Sequence, residues 1–227
     1  MIKTYSFPSV YESTLRDFAT SNDPILGFSK LKFEGVDYLV GLHALNDGVS
    51  PHKFINPMPE DLDYKIITQA ALVVANNALQ SEVKNGRIPK MIITTGFPYA
   101  TYQFNKEAAE HYLKDEKIIS YFKSSDDGIL TSEQRIVSIS EVNIIPELVG
   151  CDTAVRKGEN PLGGNFLIIS LGYGTCEGAV STPEGLSVRT LFSTHGISYP
   201  RSYPSTHTFP CAQSTRWTTS LPKDSCM

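Results

Sequence analysis

The sequence predicts an α/β fold in which helices flank a mixed β-sheet. Three observations lead to it: two apolar-alternating runs around Glu34-Gly35, a helical periodicity that begins at Asp63, and a continuous apolar run between Pro89 and Pro98. Their order of hairpin, helix and buried strand is typical of a layered α/β domain. With 227 residues and 41% hydrophobic content, the chain is long enough to bury a core.

The first third of the chain is predicted to form strands and then a long helix. The run IKTYSFPSV alternates and ends at Pro8, which favours an edge strand or a strand end over a central strand. The run KLKFEGVDYLVG is typical of a β-hairpin that turns at Glu34-Gly35. Asp61 or Asp63 can serve as the helix N-cap, and Gly86 lies beyond the helix end. Apolar residues then recur at spacings of three and four: Tyr64, Ile67, Ala71, Val74 and Ala78.

The rest of the chain is predicted to alternate between strands and helices. PKMIITTGFP has the pattern of a strand buried on both faces, and Asn105 to Phe122 is predicted to form a helix with Asn105 as its cap. QRIVSISEVNIIPE returns to β structure, and a short helix is predicted from Leu148 to Val155. After the loop RKGENPLGG come the strand FLIISL and two β runs, EGAVST and LSVRTLFS. From Pro200 the chain has four prolines and no periodicity, so residues 200–227 are predicted to be a disordered tail.

Composition excludes several classes of function. The net charge is -4 and no basic run could follow a phosphate backbone, so direct nucleic-acid binding is disfavoured. No apolar stretch approaches the roughly 20 residues of a membrane span, and the N-terminus lacks a secretory signal, so we expect no membrane partner and a cytoplasmic location. The cysteines, without metal-ligand spacing, are expected to be free thiols, and the histidines to be ordinary surface or satisfied residues.

The stretch LGYGT allows two interpretations. Gly172 and Gly174 let backbone N–H groups approach an anion closely, and the Thr175 hydroxyl adds one more donor. These residues can form a phosphate-binding loop between two strands. They can also form a tight turn, which the stretch by itself favours, since glycine-rich β-turns are common.

The order of six segments resembles that of bacterial and plasmid ParM-type actins, which belong with sugar kinases and heat-shock chaperones in one superfamily. The segments are FPSVYES, DYLVGLHAL, KMIITTGFPYATYQ, EVNIIPELVG, FLIISLGYGTCEGAV and FSTHGIS, and the resemblance covers about residues 3–199. It implies an actin-like, ribonuclease H-like ATPase fold that is incomplete. Residues 1–162 resemble a first actin-like domain without its first phosphate loop, and residues 163–199 resemble the opening β-hairpin of the second domain.

The resemblance assigns roles to individual residues. Glu147 takes the place of the catalytic glutamate that orients or deprotonates the attacking water; the alternative is a first-turn acid of a helix. Gly172, Gly174 and Thr175 would contact the β- and γ-phosphates. Gly196 resembles the small residue near the phosphates, and its alternative is a turn glycine.

Two departures from the family affect this expectation. Ser170 stands where the family usually has an aspartate that holds the water shell of magnesium. Glu177 is a candidate replacement, but strand alternation does not fix its direction. The first phosphate loop and the adenosine-binding segments are not recognisable, so the chain is expected to be truncated at both ends and to bind ATP weakly or not at all.

The implied function is ATP binding and hydrolysis with magnesium, coupled to self-association into filaments that partition plasmid DNA through a DNA-bound adaptor protein. The departures leave open whether this chain is itself an active ATPase. One alternative is a non-catalytic interaction module that retains part of an actin-like fold. Another is a sugar or acetate kinase relative, which is disfavoured because no substrate-specific acid is visible beyond Glu147.

Overall fold

The computed structural model describes residues 3–14, 21–53, 58–80, 89–171 and 175–195. These residues form two compact units, of which unit 1 comprises residues up to 93 and 112–142, and unit 2 comprises 94–111 and 143–195. The predicted tail, 200–227, lies outside the described residues, and the assignment of 163–199 to a second actin-like domain stays a prediction. No helix in the described part of the chain is long and apolar enough to cross a membrane.

Helices and strands alternate along the chain as the α/β prediction requires. The helices are α1 (Leu42–Asp47), α2 (Leu62–Gln80), α3 (Tyr99–Leu113) and α4 (Glu147–Lys157). The strands are β1 (Val10–Ser13), β2 (Lys30–Phe33), β3 (Val36–Val40), β4 (His52–Lys53), β5 (Lys90–Phe97), β6 (Asp115–Ser124), β7 (Leu130–Pro146), β8 (Phe166–Leu171), β9 (Thr175–Thr182), β10 (Gly185–Leu186) and β11 (Phe192–His195).

A seven-stranded sheet has the order β4-β1-β3-β2-β6-β7-β5. The predicted hairpin is confirmed as β2 and β3, which pair antiparallel from Leu31↔Tyr38 to Phe33↔Val36. Its turn residues have positive φ, 48° at Glu34 and 83° at Gly35. Two successive positive φ angles match the twist of a two-residue hairpin, and glycine adopts them without steric cost.

Helix α2 confirms the predicted periodicity and lies in the core of unit 1. Of its 19 residues, 11 are buried, so the helix is covered on most sides. The largest fully buried side chains of unit 1 come from this helix, the end of α3, the strands and the segment before β2: Leu26, Phe28, Leu31, Val40, Ile66, Ile67, Val73, Leu113, Ile119 and Val137.

The first predicted strand is wrong in position. Regular pairing begins only after Pro8, and β1 lies between β4 and β3 instead of at the sheet edge. Proline has no N–H to donate to a strand ladder, which explains why the strand starts beyond it. The two-residue β4 is the edge instead.

The predicted helix from Asn105 to Phe122 is also wrong at both ends. Helix α3 begins directly after Pro98, whose carbonyl accepts hydrogen bonds from the backbone of Thr101 and Tyr102, and Asn105 is buried within the helix. At Asp115 the backbone turns with φ 76°, and the chain continues as β6. The run KIISYF favours this strand because its β-branched and aromatic residues alternate between buried and exposed positions.

In unit 2, β9 pairs antiparallel with β8, β10 and β11. The predicted hairpin across LGYGT is thus confirmed as β8 and β9. The run LSVRTLFS, predicted as one β run, contains the short turn of 3-10 helix Val188–Thr190, and β11 begins only at Phe192. Helix α4 packs on this sheet through Leu148, Ile168 and Ala179, all of which are buried.

Candidate functional site

Glu147 is the first residue of α4 and follows Pro146, which ends β7 and caps the helix with extended backbone, φ -63° and ψ 139°. The next residue, Leu148, is fully buried against Ile168 of β8 and Ala179 of β9. Burial of Leu148 therefore fixes the start of α4 and, with it, the position of Glu147. Both the catalytic interpretation of Glu147 and its alternative as a first-turn acid are compatible with this position.

The other end of α4 is fixed by Arg156. Its guanidinium donates hydrogen bonds to Asp152 at 3.1 Å and to Ser181 of β9 at 2.8 Å. The same group lies 4.6 Å from the ring centroid of Phe166 on β8. These contacts join α4 to both strands of the β8-β9 hairpin, so Glu147 stands on a helix that is held at each end.

The end of β5 closely approaches Glu147. A Cβ atom placed on Gly96 would lie 3.1 Å from Cγ of Glu147 and 3.5 Å from the carbonyl oxygen of Ile145. Real Cβ atoms rarely come so close, so a side chain at position 96 would displace Glu147. The sequence reasoning did not single out Gly96. A glycine inside a strand pattern was the available signal, because it often marks a close approach of another group.

Glu177 faces the same side of the sheet as Ser170. The two residues are direct partners in the antiparallel pairing of β8 with β9. Side chains of directly opposed residues project from the same face, with Cβ atoms about 4.5–5.5 Å apart. The direction of Glu177, which the sequence left open, is therefore settled by the register.

Glu177 is buried without a hydrogen-bond partner in the described part of its surroundings. Its residue is only 1% exposed, and neither carboxylate oxygen has a hydrogen-bond partner within the described part of the chain. A buried, ionised carboxylate is costly unless a cation or a hydrogen-bond donor accompanies it.

The surroundings of Glu147 disfavour its charged form. Burial raises the pKa of Glu147, and the negative charge of Glu177 raises it further. The pKa of the Cys151 thiol, one helical turn along α4, is also raised by burial and then by the charge of Glu147. A buried carboxyl whose pKa is raised in this way favours its protonated form or a nearby cation.

Only some of the predicted phosphate-binding residues lie within the described ranges. Thr175 opens β9, is partly buried, and its backbone pairs with that of His195 on β11. Ser170 is also partly buried. Gly172, Gly174 and Gly196 lie outside the described residues. The structure therefore brings Ser170, Thr175, Glu147 and Glu177 into one unit, whereas the three glycines stay predictions.

No group of three or more metal-ligating side chains occurs in the described ranges. Cys151 and Cys176 are free thiols, and Cys211 and Cys226 lie outside those ranges. His43 is buried, and its Nδ1 lies 3.3 Å from the carbonyl oxygen of Ser29.

Comparison with known families decides the identity of the fold. The family model described as "Actin like proteins N terminal domain" matches residues 2–150, more than half of the chain. The chain belongs to the actin-like proteins. This confirms the resemblance to ParM-type actins. No curated protein sequence matches the chain significantly.

Solved structures of actin-like proteins share the fold. Ta0583, an archaeal actin homologue, superposes with a TM-score of 0.58 and 19% identity over 84% of this chain and 55% of its own; a second structure is its complex with ADP. The AlfA filament bound to AMPPNP gives 0.56 and 16% identity over 86% and 62%. The apo psk41 ParM protein gives 0.56 and 14% identity over 84% and 59%.

The chain thus spans 55–62% of the length of these three actin-like structures. At identities below 20%, the likeness is one of fold. It confirms the predicted actin-like α/β class and the expectation that the fold is incomplete relative to these proteins.

Proposed function

We propose that this chain is the nucleotide-handling part of a ParM-type actin-like ATPase, with Glu147 and Glu177 as its two catalytic carboxylates. The main support is the pairing of Ser170 with Glu177. It sets a buried carboxylate beside the position where the family usually has an aspartate, and the same carboxylate influences the pKa of Glu147.

Glu147 holds the attacking water. A carboxylate accepts a hydrogen bond from water and orients the water's lone pair toward the γ-phosphate. As the bond from water to phosphorus forms and the bond from phosphorus to the β–γ bridging oxygen breaks, releasing ADP, the water's proton can pass to the carboxylate oxygen. A raised pKa makes Glu147 a better proton acceptor than an ordinary surface glutamate. Gly96 keeps the space beside the Glu147 side chain open, so that the carboxylate can adopt this orientation.

Glu177 takes over the role that the aspartate at position 170 has in the family. Ser170 is neutral and short and cannot offset a divalent charge, whereas Glu177 is buried opposite it and neither of its oxygens has a hydrogen-bond partner among the described residues. This donor set fits magnesium, whose ligands in proteins are carboxylates and water. When bound, magnesium would neutralise charge on the transferred phosphate. Glu177 would hold its water shell, and Ser170 would donate or accept one hydrogen bond.

The nucleotide would lie at the start of β9. Ta0583 has been solved with ADP and AlfA with AMPPNP, which supports nucleotide binding by this chain. The Thr175 hydroxyl and the backbone N–H groups of Gly172, Gly174 and Gly196 would donate hydrogen bonds to the β- and γ-phosphates.

Nucleotide binding is proposed to control self-association of the protein. AlfA forms filaments, and a ParM protein, the type that the sequence resembles, is among the matched structures. We infer that this chain or its completed form assembles likewise and moves plasmid DNA through a DNA-bound adaptor in the cytoplasm. The net charge of -4 agrees with an adaptor instead of direct contact with DNA.

Ser170 also favours a second candidate, a non-catalytic interaction module. A site that has lost its aspartate binds magnesium less well unless another carboxylate replaces it. The two candidates differ in nucleotide binding and hydrolysis, so one set of measurements separates them.

The test compares two polypeptides. The first is the 227-residue chain, which spans only part of its relatives' length; we expect isothermal titration to give a dissociation constant for ATP with magnesium weaker than about 10 μM, roughly -7 kcal/mol. The second is an AlfA-completed fusion, in which residues 3–195 of this chain are joined to the parts of AlfA that they do not match. The fusion should bind ATP more tightly, release phosphate and form filaments. A folded fusion that binds no nucleotide would favour the interaction module.

A further inference from the structure

Glu177 has a serine directly opposite it on each side of β9. Ser170 is its partner in the antiparallel pairing with β8, and Ser193 is its partner in the antiparallel pairing with β11. Directly opposed residues project from the same face of a sheet, with Cβ atoms about 4.5–5.5 Å apart. The three residues therefore form one row across three strands, the Ser-Glu-Ser row, with the carboxylate in the middle.

The Ser-Glu-Ser row stands where one face of the sheet changes from apolar to polar. Two residues along β9 from Glu177, Ala179 lies opposite Ile168 of β8, and both are buried in the apolar cluster at the start of α4. Leu191, two residues before Ser193, packs against the same cluster. Each of the three chain segments thus changes from an apolar to a polar residue at the same level. Ser193 therefore belongs to the polar rim around the buried carboxylate.

The groups of this row suit a bound water better than direct contact with one another. Neither carboxylate oxygen of Glu177 has a hydrogen-bond partner in the ranges that the structure describes, although a serine stands on each side of it. Ser193 is partly buried, and its hydroxyl oxygen can accept hydrogen bonds. Waters in such polar sites hold their place by bonding to two to four polar groups at once. A water between the Glu177 carboxylate and the Ser193 hydroxyl would meet this requirement.

We propose that Ser193 is a third side chain of the magnesium site and that, together with Glu177, it holds one water of the ion's shell. This inference rests on the proposed function, which assigns Glu177 to that shell. Magnesium in proteins usually keeps several of its waters. A water bound to a cation through its oxygen donates both of its protons, so one can go to the Glu177 carboxylate and the other to the Ser193 hydroxyl oxygen. Ser170 can act likewise from β8.

The magnesium-dependent part of nucleotide affinity tests this assignment. Isothermal titration measures the affinity of the AlfA-completed fusion for AMPPNP with magnesium and again with EDTA, and the ratio of the two affinities gives the contribution of the ion. Ser193→Ala removes the hydroxyl and should lower this ratio about 3–10-fold, the scale of one hydrogen bond. The affinity in EDTA should stay at the wild-type value, because Ser193 is not among the proposed phosphate ligands. Circular dichroism checks that each variant keeps the wild-type fold.

Three further variants separate the possible causes of a change. Ser193→Thr keeps the hydroxyl and should retain the wild-type ratio. Thr194→Ala is the matched control, since Thr194 is the next residue of β11 and projects from the opposite face of the sheet, and it should also retain the ratio. Glu177→Gln removes the charge and should lower the ratio more than Ser193→Ala does.

The outcomes distinguish this proposal from the proposed function. If Glu177→Gln lowers the ratio and Ser193→Ala does not, Ser193 has no part in the site, although the proposed function stands. If Ser193→Ala lowers both affinities alike, its role is structural and the proposal is wrong. If magnesium adds nothing to the affinity of the wild-type fusion, the proposed magnesium site is wrong and this proposal is wrong with it.

Discussion

Glu177 lies directly opposite Ser170 in the antiparallel pairing of β8 with β9, and it is only 1% exposed. The pair therefore sets a buried carboxylate across the strand from a neutral hydroxyl, on one face of the sheet. Both oxygens of Glu177 lack a hydrogen-bond partner among the described residues. An arrangement this costly for stability is typical of sites that serve binding or catalysis.

Gly96→Ala is expected to lower ATP hydrolysis by the AlfA-completed fusion, but by less than the roughly 10²-fold of a 1 Å misplacement, because Glu147 has to move by only a few tenths of an ångström. The added methyl group would lie 3.1 Å from Cγ of Glu147 and would shift that carboxylate. Nucleotide affinity should change little, because Gly96 is not among the proposed phosphate ligands. Phosphate release and equilibrium binding are both measured.

Gly163→Ala is the control for this substitution, because a Cβ atom there meets no atom within 4 Å. It should leave hydrolysis at the wild-type rate. Equal rates for the two alanine variants would show that the approach of Gly96 to Glu147 has no influence on the chemistry.

Glu147→Gln is expected to stabilise the fold at pH 7 while it impairs hydrolysis. Because burial and Glu177 raise the pKa of Glu147 above the ordinary 4.5, the folded state opposes ionisation of this carboxyl. The wild-type chain therefore loses stability as pH rises from 4.5 through the raised pKa, and the glutamine variant avoids that loss. Urea unfolding at a series of pH values should show the two proteins converging at low pH and separating above it.

Glu184→Gln is the control, because the pKa of Glu184 is shifted in the direction opposite to that of Glu147. Glu184 is an exposed acid of the same unit, and a hydrogen bond from Thr182 lowers its pKa. Its glutamine variant should gain nothing at pH 7. If Glu147→Gln were no more stable than wild type at pH 7, the described burial and repulsion of Glu147 would be incorrect.

Leu148→Ala is expected to destabilise the chain by about 2–5 kcal/mol, the usual cost of truncating a fully buried leucine. Leu148 packs with Ile168 and Ala179 and thereby fixes the start of α4. Chemical unfolding measures the loss. Val149→Ala, at a 37% exposed neighbour, should cost much less, and similar losses would mean that α4 is not fixed through Leu148.

The sequence predicted those elements whose local signals agree with their tertiary surroundings. The alternating runs on either side of Glu34-Gly35 predicted the hairpin, in which Gly35 adopts a positive φ without steric cost, and the periodicity of α2 predicted the core helix. The sequence-based prediction was wrong where a helical pattern and a strand pattern follow each other directly. The helical propensity before Leu113 was extended into β6, although the strand had its own alternation from Lys117 to Phe122.

The candidate site was predictable only in part, for a related reason. Glu147 was proposed as a site residue from its motif, and Glu177 was noted as an acid whose direction the sequence did not fix. That direction depends on which residue of β8 lies opposite, which is a matter of register between strands and not of alternation within one. The approach of Gly96 to Glu147 joins positions about fifty residues apart, and no local pattern contains it.

An exchange of the two opposed residues tests the central claim most directly. In the AlfA-completed fusion, Glu177→Ser removes the buried carboxylate and should lower the rate of phosphate release about 10²-fold, the scale for loss of one positioned charged group. The double variant Ser170→Asp with Glu177→Ser returns a carboxylate to the same face, about 5 Å away. We expect it to regain most of the lost rate. If both variants fold and bind nucleotide, and the double variant stays as slow as Glu177→Ser, then Glu177 does not stand in for an aspartate at position 170.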